Sequence, residues 1–500
     1  MVVEPTGHEG GEPVISFGRR LADLAAAHPG TAAVIDVAKD GTERSIGWGE
    51  LDDLAVRLAG ALQRDGLGHG ETLAICLPTS IAHLAACAAA WKLGAVPVPV
   101  RWDLPDWELR RVLGVLRPRL TLGGEPAEVL RRAAGRPAEL EDRVSPHRFG
   151  VCTSGSTGTP KVILHSSPGL DRPSQRITSA VVEAYTSLTA PQTLLVPNAL
   201  YHSSSVTTTT LNLMSGGRTV LLERFDPARL LDLLPRHRVT GFMAPTPILL
   251  RLARHPGLGS PAFESVEWIQ HGAAPLPDWL ARFWISLLGE ERFFTSYGSA
   301  EGAGLVGCRG DEWLRHPGTL GRGVLGTEVA ILDDQGRQLP AREVGGIYTR
   351  RPGRPTGAYV GEAVDPLEVG PHGFATVGDL GWSDEEGYLF LVDRRVDLIV
   401  SGGANVYPAE VEAAVGEHPG VADVVVIGLP DEEWGRRVHA IVQPAALADV
   451  TPQSIREFAR HRLARYKVPK TVELVDRIPR SAAMKVNRAR LVEERTNGRR

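Results

Sequence analysis

The sequence predicts an α/β protein: a large N-terminal domain of α/β sheets with a barrel-like part, then a small α+β domain. Three observations carry this. Short apolar runs alternate with helical stretches of about 10 to 15 residues through the first half, the pattern of parallel α/β construction. After about Gly318, turn signals fall between short strands, as in an antiparallel or barrel-like sheet. The last hundred residues mix helices and strands as a further unit. At 500 residues, and roughly 100 to 200 residues per domain, the length suggests two to four units, fewer if one is a long α/β domain.

Residues 1–15, rich in Gly, Glu and Pro, read as a loose leader. Helical periodicity covers 17–28 and 48–65. A strand at 72–77, an Ala-rich helix at 80–93 and a strand at 95–100 follow. The pattern recurs as strand 193–196, helix 207–214, strand 219–222, helix 227–237 and the apolar run at Gly241. Turn signals Asp333-Asp334-Gln335-Gly336 and Asp384-Glu385-Glu386-Gly387 mark the antiparallel part. The final unit reads as helix 408–418, strands 421–427 and 438–443, and helix 451–463. The charged stretch Asp393-Arg394-Arg395-Val396-Asp397 is the expected boundary, giving domains 1–394 and 397–500.

Composition excludes several classes of protein. Hydrophobic residues at 43% and charged residues at 23% support a packed core and rule out wholesale disorder. A formal charge of −4, with no massed Lys and Arg, argues against nucleic acid as a partner. The four cysteines, Cys76, Cys87, Cys152 and Cys308, show no C-x-x-C spacing. They exclude a disulfide framework and a thiolate zinc site, and fit a reducing cytoplasm. The most apolar helical stretch, 81–94, is interrupted by His83 and Lys92 and falls short of the roughly 20 apolar residues of a membrane span. Residues 1–13 carry Glu4, Glu9 and Glu12 and do not read as a signal peptide. A cytoplasmic protein is expected.

The sharpest motif is Thr153-Ser154-Gly155-Ser156-Thr157-Gly158-Thr159-Pro160-Lys161. Glycines let backbone N–H groups turn inward around an anion, hydroxyls add donors and the lysine adds charge. It is not a Walker A loop, because the spacing from Gly155 to Lys161 is too wide and Pro160 precedes the lysine. Gly321-Arg322-Gly323-Val324-Leu325-Gly326 matches G-x-G-x-x-G literally. A strand entering a hairpin, not a helix, is expected after it, so a dinucleotide site is rejected.

The phosphate-binding loop resembles that of the adenylate-forming superfamily, which includes acyl- and aryl-CoA synthetases, luciferases and peptide-synthetase adenylation domains. Further motifs follow in that family's order. Tyr297-Gly298-Ser299-Ala300-Glu301 is similar to its Y-G-x-T-E. Thr376-Val377-Gly378-Asp379 resembles its T-G-D with one added Val. Arg394 to Pro408, with Ser401-Gly402-Gly403-Ala404-Asn405, resembles its hinge and glycine loop. Ile478-Pro479-Arg480 to Lys485 resembles its catalytic lysine segment.

The resemblance implies an acyl-CoA ligase of the acyl-CoA synthetase branch, joining a carboxylic acid to CoA through an acyl-adenylate, with ATP, coenzyme A and Mg²⁺. Lys485 would bridge the carboxylate and the α-phosphate. Glu301 would hold Mg²⁺. Asp379, assisted by Arg394, would take the ribose hydroxyls. Gly272, Ala273, Ala274 and Tyr297, with Gly298, Ser299 and Ala300, would form the nucleotide slot. His202 would sit beside the acyl carboxylate. Ser401, Gly402, Gly403 and Ala404 would serve the thioester step after rotation of the small domain about Val396. CoA is the expected thiol, since no carrier domain follows in the sequence. No acidic residue lies between Leu195 and Gly217, which favours a substrate without an amino group. Small residues after His202 suggest a roomy or partly polar pocket; a bulky, hydrophobic acid, aromatic or polycyclic, is expected first and a medium fatty acid next.

Four positions depart from the family pattern. Ala300 stands for Thr, Met484 for the Gly before the lysine, Val396 for the hinge Asp or Lys, and Ala404 for Glu. The first two bear on adenylation. They admit an alternative in which a partner enzyme supplies acyl-adenylate and this chain only completes the thioester. A non-catalytic binder of nucleotide or acyl-adenylate is a further alternative.

Overall fold

The computed structural model describes residues 14–135, 137, 139–153, 160–165, 170, 180–186, 191–351, 357–360, 367–394, 397–401, 404–446, 448–480 and 486–497. Its centre is a nine-stranded sheet. Six neighbouring strands run parallel in the order Phe293–Gly298, Trp268–His271, Gly241–Ala244, Thr193–Val196, Arg218–Leu222 and Ala32–Val37. Antiparallel strands close the edges: Glu43–Gly47 on one side, Leu305–Arg309 and Arg322–Gly323 on the other. The central strands are apolar on both faces, because helices cover both. Their carboxyl ends lie along one edge, where α/β sheets place ligands.

The expected alternation is present. Helices Phe17–Ala27 and Trp48–Arg64, strand Thr72–Cys76, helix Ile81–Lys92 and strand Val96–Pro99 follow as read. Ser80 caps the Ala-rich helix, accepting from the His83 backbone N–H. That helix is buried on every side, which explains its uniform apolarity without a membrane. His83 inside it places Nδ1 3.1 Å from the Leu77 carbonyl, and burial lowers its pKa to about 4. Lys92 is paired with Asp52 at 2.6 Å. No helix among the described residues is long and apolar enough to cross a membrane.

One boundary moves. The helix expected from Thr207 begins at Ser203 and runs to Met214. Ser and Thr are mediocre helix formers, yet Ser205, Val206 and Thr208 to Thr210 are buried, so packing against the sheet overrides local preference.

Past Gly318 the chain builds an antiparallel sheet of six strands, including Glu328–Leu332, Gly345–Arg350, Asp379–Ser383 and Leu389–Arg394. The G-x-G-x-x-G stretch turns at Leu325 (φ +53°) and Gly326 (φ +76°) and enters strand Glu328–Leu332. No helix follows it, as a dinucleotide loop would require. From Leu389–Arg394 in this sheet the chain passes to Ile399–Ser401, which belongs to a separate five-stranded sheet with its own core. There the long hairpin Val421–Asp431 and Gly435–Pro444 is packed by helices Pro408–Gly416 and Pro452–Arg460. The expected hinge Val396 lies outside the described residues.

Candidate functional site

The residues expected at the nucleotide and at the acyl carboxylate follow three strand ends of the central sheet. Gly272, Ala273 and Ala274 follow strand Trp268–His271, and Tyr297 and Gly298 end strand Phe293–Gly298. His202 follows strand Thr193–Val196 and caps helix Ser203–Met214. A Cβ at Gly272 would meet Met243 Cε and Ser296 Oγ at 2.8 Å, so those side chains would have to shift.

Asp379 heads its strand in the antiparallel sheet and is 5% exposed. Tyr297 donates its phenolic hydrogen to Asp379 Oδ2 at 2.8 Å, so residues 82 positions apart meet across two sheets. Gly378 just before it sits at φ +82°, in the left-handed region that favours glycine. The Gly378 N–H is held by Thr376 Oγ1 at 3.1 Å. Strand register puts Arg394 directly opposite Asp379. A small cavity lies at Tyr297, walled also by Ser299, Gly304, Thr349 and Val377. If Asp379 takes the ribose, Asp379→Ala should weaken ATP binding by the loss of two hydrogen bonds to a charged acceptor, roughly 1.5 to 3 kcal/mol each. Calorimetric titration with ATP checks this, and an unchanged affinity would remove Asp379 from the site.

A second cluster joins Lys161, the last residue of the Thr153–Lys161 motif, to Glu301 through Tyr359. Strands Gly150–Thr153 and Lys161–Leu164 pair with Thr153 opposite Lys161. Ser154, Gly155, Ser156, Thr157 and Gly158, between them in sequence, lie outside the described residues. Strand Ala358–Val360 pairs with the lysine strand. It carries Tyr359, whose hydroxyl donates to Glu301 Oε1 at 2.7 Å. Lys161 Nζ lies 5.1 Å from the centroid of the same ring, within range of a cation–π contact. Burial, then the hydrogen bond to Glu301, raises the Tyr359 pKa, so the phenol stays a donor. The Gly357 N–H donates to the Glu301 carbonyl at 2.7 Å. Sequence reasoning missed Tyr359: it stands beyond the Pro- and Gly-rich stretch 352–357, and only long-range strand pairing brings it to Glu301.

Tyr359→Phe keeps the ring under Lys161 and removes the bond to Glu301. Expected is about a tenfold fall in adenylation turnover, ~1.4 kcal/mol, with the melting temperature and acid KM unchanged. Pyrophosphate release and a thermal melt read these, and a normal turnover would make the bond structural only.

Ala300 packs against the apolar cluster of Phe149, Val151, Ile163 and Val206, as does Tyr359. This contact brings the acidic motif against the helix that His202 caps. The His202 ring lies 4.2 Å from that of Tyr201, which in turn meets Trp102 edge-on at 5.7 Å.

The glycine loop belongs to the other sheet. Ser401 is buried and pairs with Ala404 across strands Ile399–Ser401 and Ala404–Val406. Gly402 and Gly403 lie outside the described residues, as do Met484 and Lys485. Both flanks of the lysine segment are anchored to the small unit. Arg480 grips Asp423 through two bonds of 2.6 Å. Arg488 grips Glu412 at 2.8 and 3.0 Å and reaches Asp397 at 3.3 Å.

A mostly parallel sheet with polar side chains gathered at its carboxyl edge, followed by a small separate unit, is the architecture of a nucleotide-using α/β enzyme. The chain belongs to the AMP-binding enzyme family: that family's profile matches residues 21–152 and 151–359, and the AMP-binding enzyme C-terminal domain matches 410–485. It is 29% identical to the long-chain-fatty-acid–CoA ligase FadD13 of Mycobacterium tuberculosis, over 96% of this chain and 98% of that one. It is 31% identical to a feruloyl-CoA synthase of Amycolatopsis sp, over 88% and 92%. The o-succinylbenzoate CoA synthetase MenE of Bacillus subtilis, solved with its acyl-adenylate intermediate, superposes with a TM-score of 0.80 at 27% identity, covering 94% of this chain and 97% of that one. A second structure of that enzyme, with ATP and a magnesium ion, gives 0.78 at 27% identity, over 94% and 98%.

Proposed function

We propose that this protein is an acyl-CoA ligase. It would convert a carboxylic acid to its CoA thioester in two steps. A carboxylate oxygen attacks the α-phosphorus of ATP and pyrophosphate leaves. The CoA thiol then attacks the acyl carbon and AMP leaves. Membership of the family and the CoA-ligase relatives support the reaction class. The observation that carries the reading to these residues is the Glu301–Tyr359–Lys161 cluster, which sets an acid and a cation on one tyrosine, as the binding of a magnesium-bound polyanion would need.

The roles follow from chemistry. Negative charge develops on phosphate oxygens during attack, so fixed cations and donors at that point lower the barrier. Lys161 and the phosphate loop hold the leaving phosphates, and Lys485 stabilises the attack. Asp379 and Arg394 hold the ribose, and Gly272 to Ala274 with Tyr297 hold the base. His202 faces the acyl carboxylate. Mg²⁺ usually takes one or two protein carboxylates plus phosphate oxygens, without an all-protein cage. Among the described residues no group of three or more His, Cys, Asp or Glu is poised around a metal. A lone Glu301 with one oxygen fixed by Tyr359 fits such a shared ion, which supplies charge neutralisation when bound. The small unit, joined near 393–397, rotates to bring first Lys485 and then Ser401 to Ala404 to the site. The acid is bulky and hydrophobic, and the setting is the cytoplasm.

A second reading is favoured by one observation. Ala300 offers a methyl group to an apolar cluster where the family places a hydroxyl. Adenylation is then weak, and a partner enzyme supplies the adenylate. A screen of carboxylic acids with ATP and CoA, reading thioester by mass, tests the main reading. No thioester from any acid, with thioester formed from synthetic acyl-adenylate, would select the second.

A further inference from the structure

A device lies directly behind the loop assigned to adenine. His271 is the last residue of strand Trp268–His271 and is 1% exposed. Its Nε2 lies 3.0 Å from Thr246 Oγ1, and its Nδ1 lies 3.2 Å from Thr295 Oγ1. Thr246 Oγ1 donates its single hydrogen to the Pro275 carbonyl at 2.5 Å. That hydroxyl can therefore only accept from His271, so Nε2 carries the ring proton and Nδ1 accepts from Thr295. Burial pushes the His271 pKa down to about 3, against an opposing pull from the Ala274 backbone, and the ring stays neutral with this single tautomer.

The relay touches both ends of the three-residue loop. His271 precedes Gly272, and Pro275 follows Ala274. Between them Ala273 is held at φ +67°, a left-handed conformation that costs a residue with a Cβ about 1 to 2 kcal/mol. Such strain persists only where surroundings over-determine the backbone. Thr246 heads helix Thr246–Ala253, just past the carboxyl end of the adjacent strand Gly241–Ala244. The loop is thus pinned to two neighbouring strands at once, and a third is joined through Thr295 of strand Phe293–Gly298.

The geometry points to His271 and Thr246 as positioning residues that fix the adenine loop through a histidine–hydroxyl–carbonyl relay. This rests on the reading of Gly272 to Ala274 as the adenine slot. Neither side chain needs to touch the nucleotide. They hold a strained backbone in the shape that accepts a flat base, so that binding does not have to order it.

Thr246→Val preserves shape and breaks the relay. Titration of the full-length protein with AMP should then give an affinity about tenfold weaker, the scale of one net hydrogen bond. Thr246→Ser should restore it. His271→Gln, whose amide can still donate toward Thr246, should lose less than His271→Ala. Kinetically, KM for ATP should rise while KM for the acid holds. AMP affinity unchanged in a folded Thr246→Val protein overturns the relay alone. Equal rises in KM for ATP and acid also overturn it, since they mark general damage. Absence of AMP binding by the wild-type protein overturns the adenine-slot reading and the relay together.

Discussion

Lys485→Ala is expected to abolish acyl-adenylate formation and to leave thioester formation from supplied acyl-adenylate near its wild-type rate. The first step develops charge between a carboxylate and a phosphate, two anions that repel until a cation lies between them. Removing a preorganised donor aimed at such charge costs about 10² to 10³ in rate, and removing a full positive charge should cost at least that. The second step starts from an activated acyl group and needs no such bridge. The anchoring of the lysine segment supports a single moving part. Arg480 is held by Asp423 on one flank, and Arg488 by Glu412 and Asp397 on the other. Asp397 is the residue after the proposed hinge Val396. On the proposed reading, a rotation there would carry both anchors, and the segment that includes Lys485, as one body. Pyrophosphate release with a good acid reads the first step, and thioester from synthetic acyl-adenylate reads the second. Equal losses in the two assays would contradict the assigned role.

Much of this was legible in the sequence, for reasons that differ by element. The parallel strands read well because they are short apolar runs buried on both faces. The G-x-G-x-x-G decoy is separable because its context calls for a strand entering a hairpin, and strand Glu328–Leu332, paired with Gly345–Arg350, follows it. The Ser/Thr helix was read four residues short, since its stability comes from burial and not from propensity. Asp379 and Tyr297 were named separately from motif resemblance. That they bond each other at 2.8 Å is a property of two sheets meeting and has no local signal. Tyr359 and Thr246 are further cases. Each lies in an unremarkable stretch and gains meaning only from what long-range pairing sets beside it. His271 is adjacent to a named motif, yet a lone buried histidine is indistinguishable in sequence from an ordinary core residue.

On the second reading, in which adenylation is weak, the double substitution Ala300→Thr with Met484→Gly is expected to raise adenylation sharply, by about 10²-fold or more. The physical case begins with Ala300. It is half-buried against the apolar cluster of Phe149, Val151, Ile163 and Val206, and alanine offers no hydroxyl. Loss of one donor aimed at a developing charge costs about 10² to 10³ in rate. Met484 precedes Lys485, and a residue with a Cβ is strained wherever glycine's left-handed conformation is needed. A lysine displaced by about 1 Å loses on the order of another 10²-fold. The two effects act on one step, so they should not simply add, and each single variant belongs in the comparison. Threonine also enlarges a side chain in a packed cluster, which commonly costs about 1 to 3 kcal/mol. A thermal melt separates that loss from any catalytic gain. The thioester step, which needs neither hydroxyl nor lysine, should be unchanged in all three variants. Acid-dependent pyrophosphate release and CoA thioester formation from synthetic acyl-adenylate are measured side by side. Fast pyrophosphate release by the wild-type protein with a good acid would refute impaired adenylation, and Ala300 and Met484 would then be substitutions that an ordinary two-step ligase tolerates.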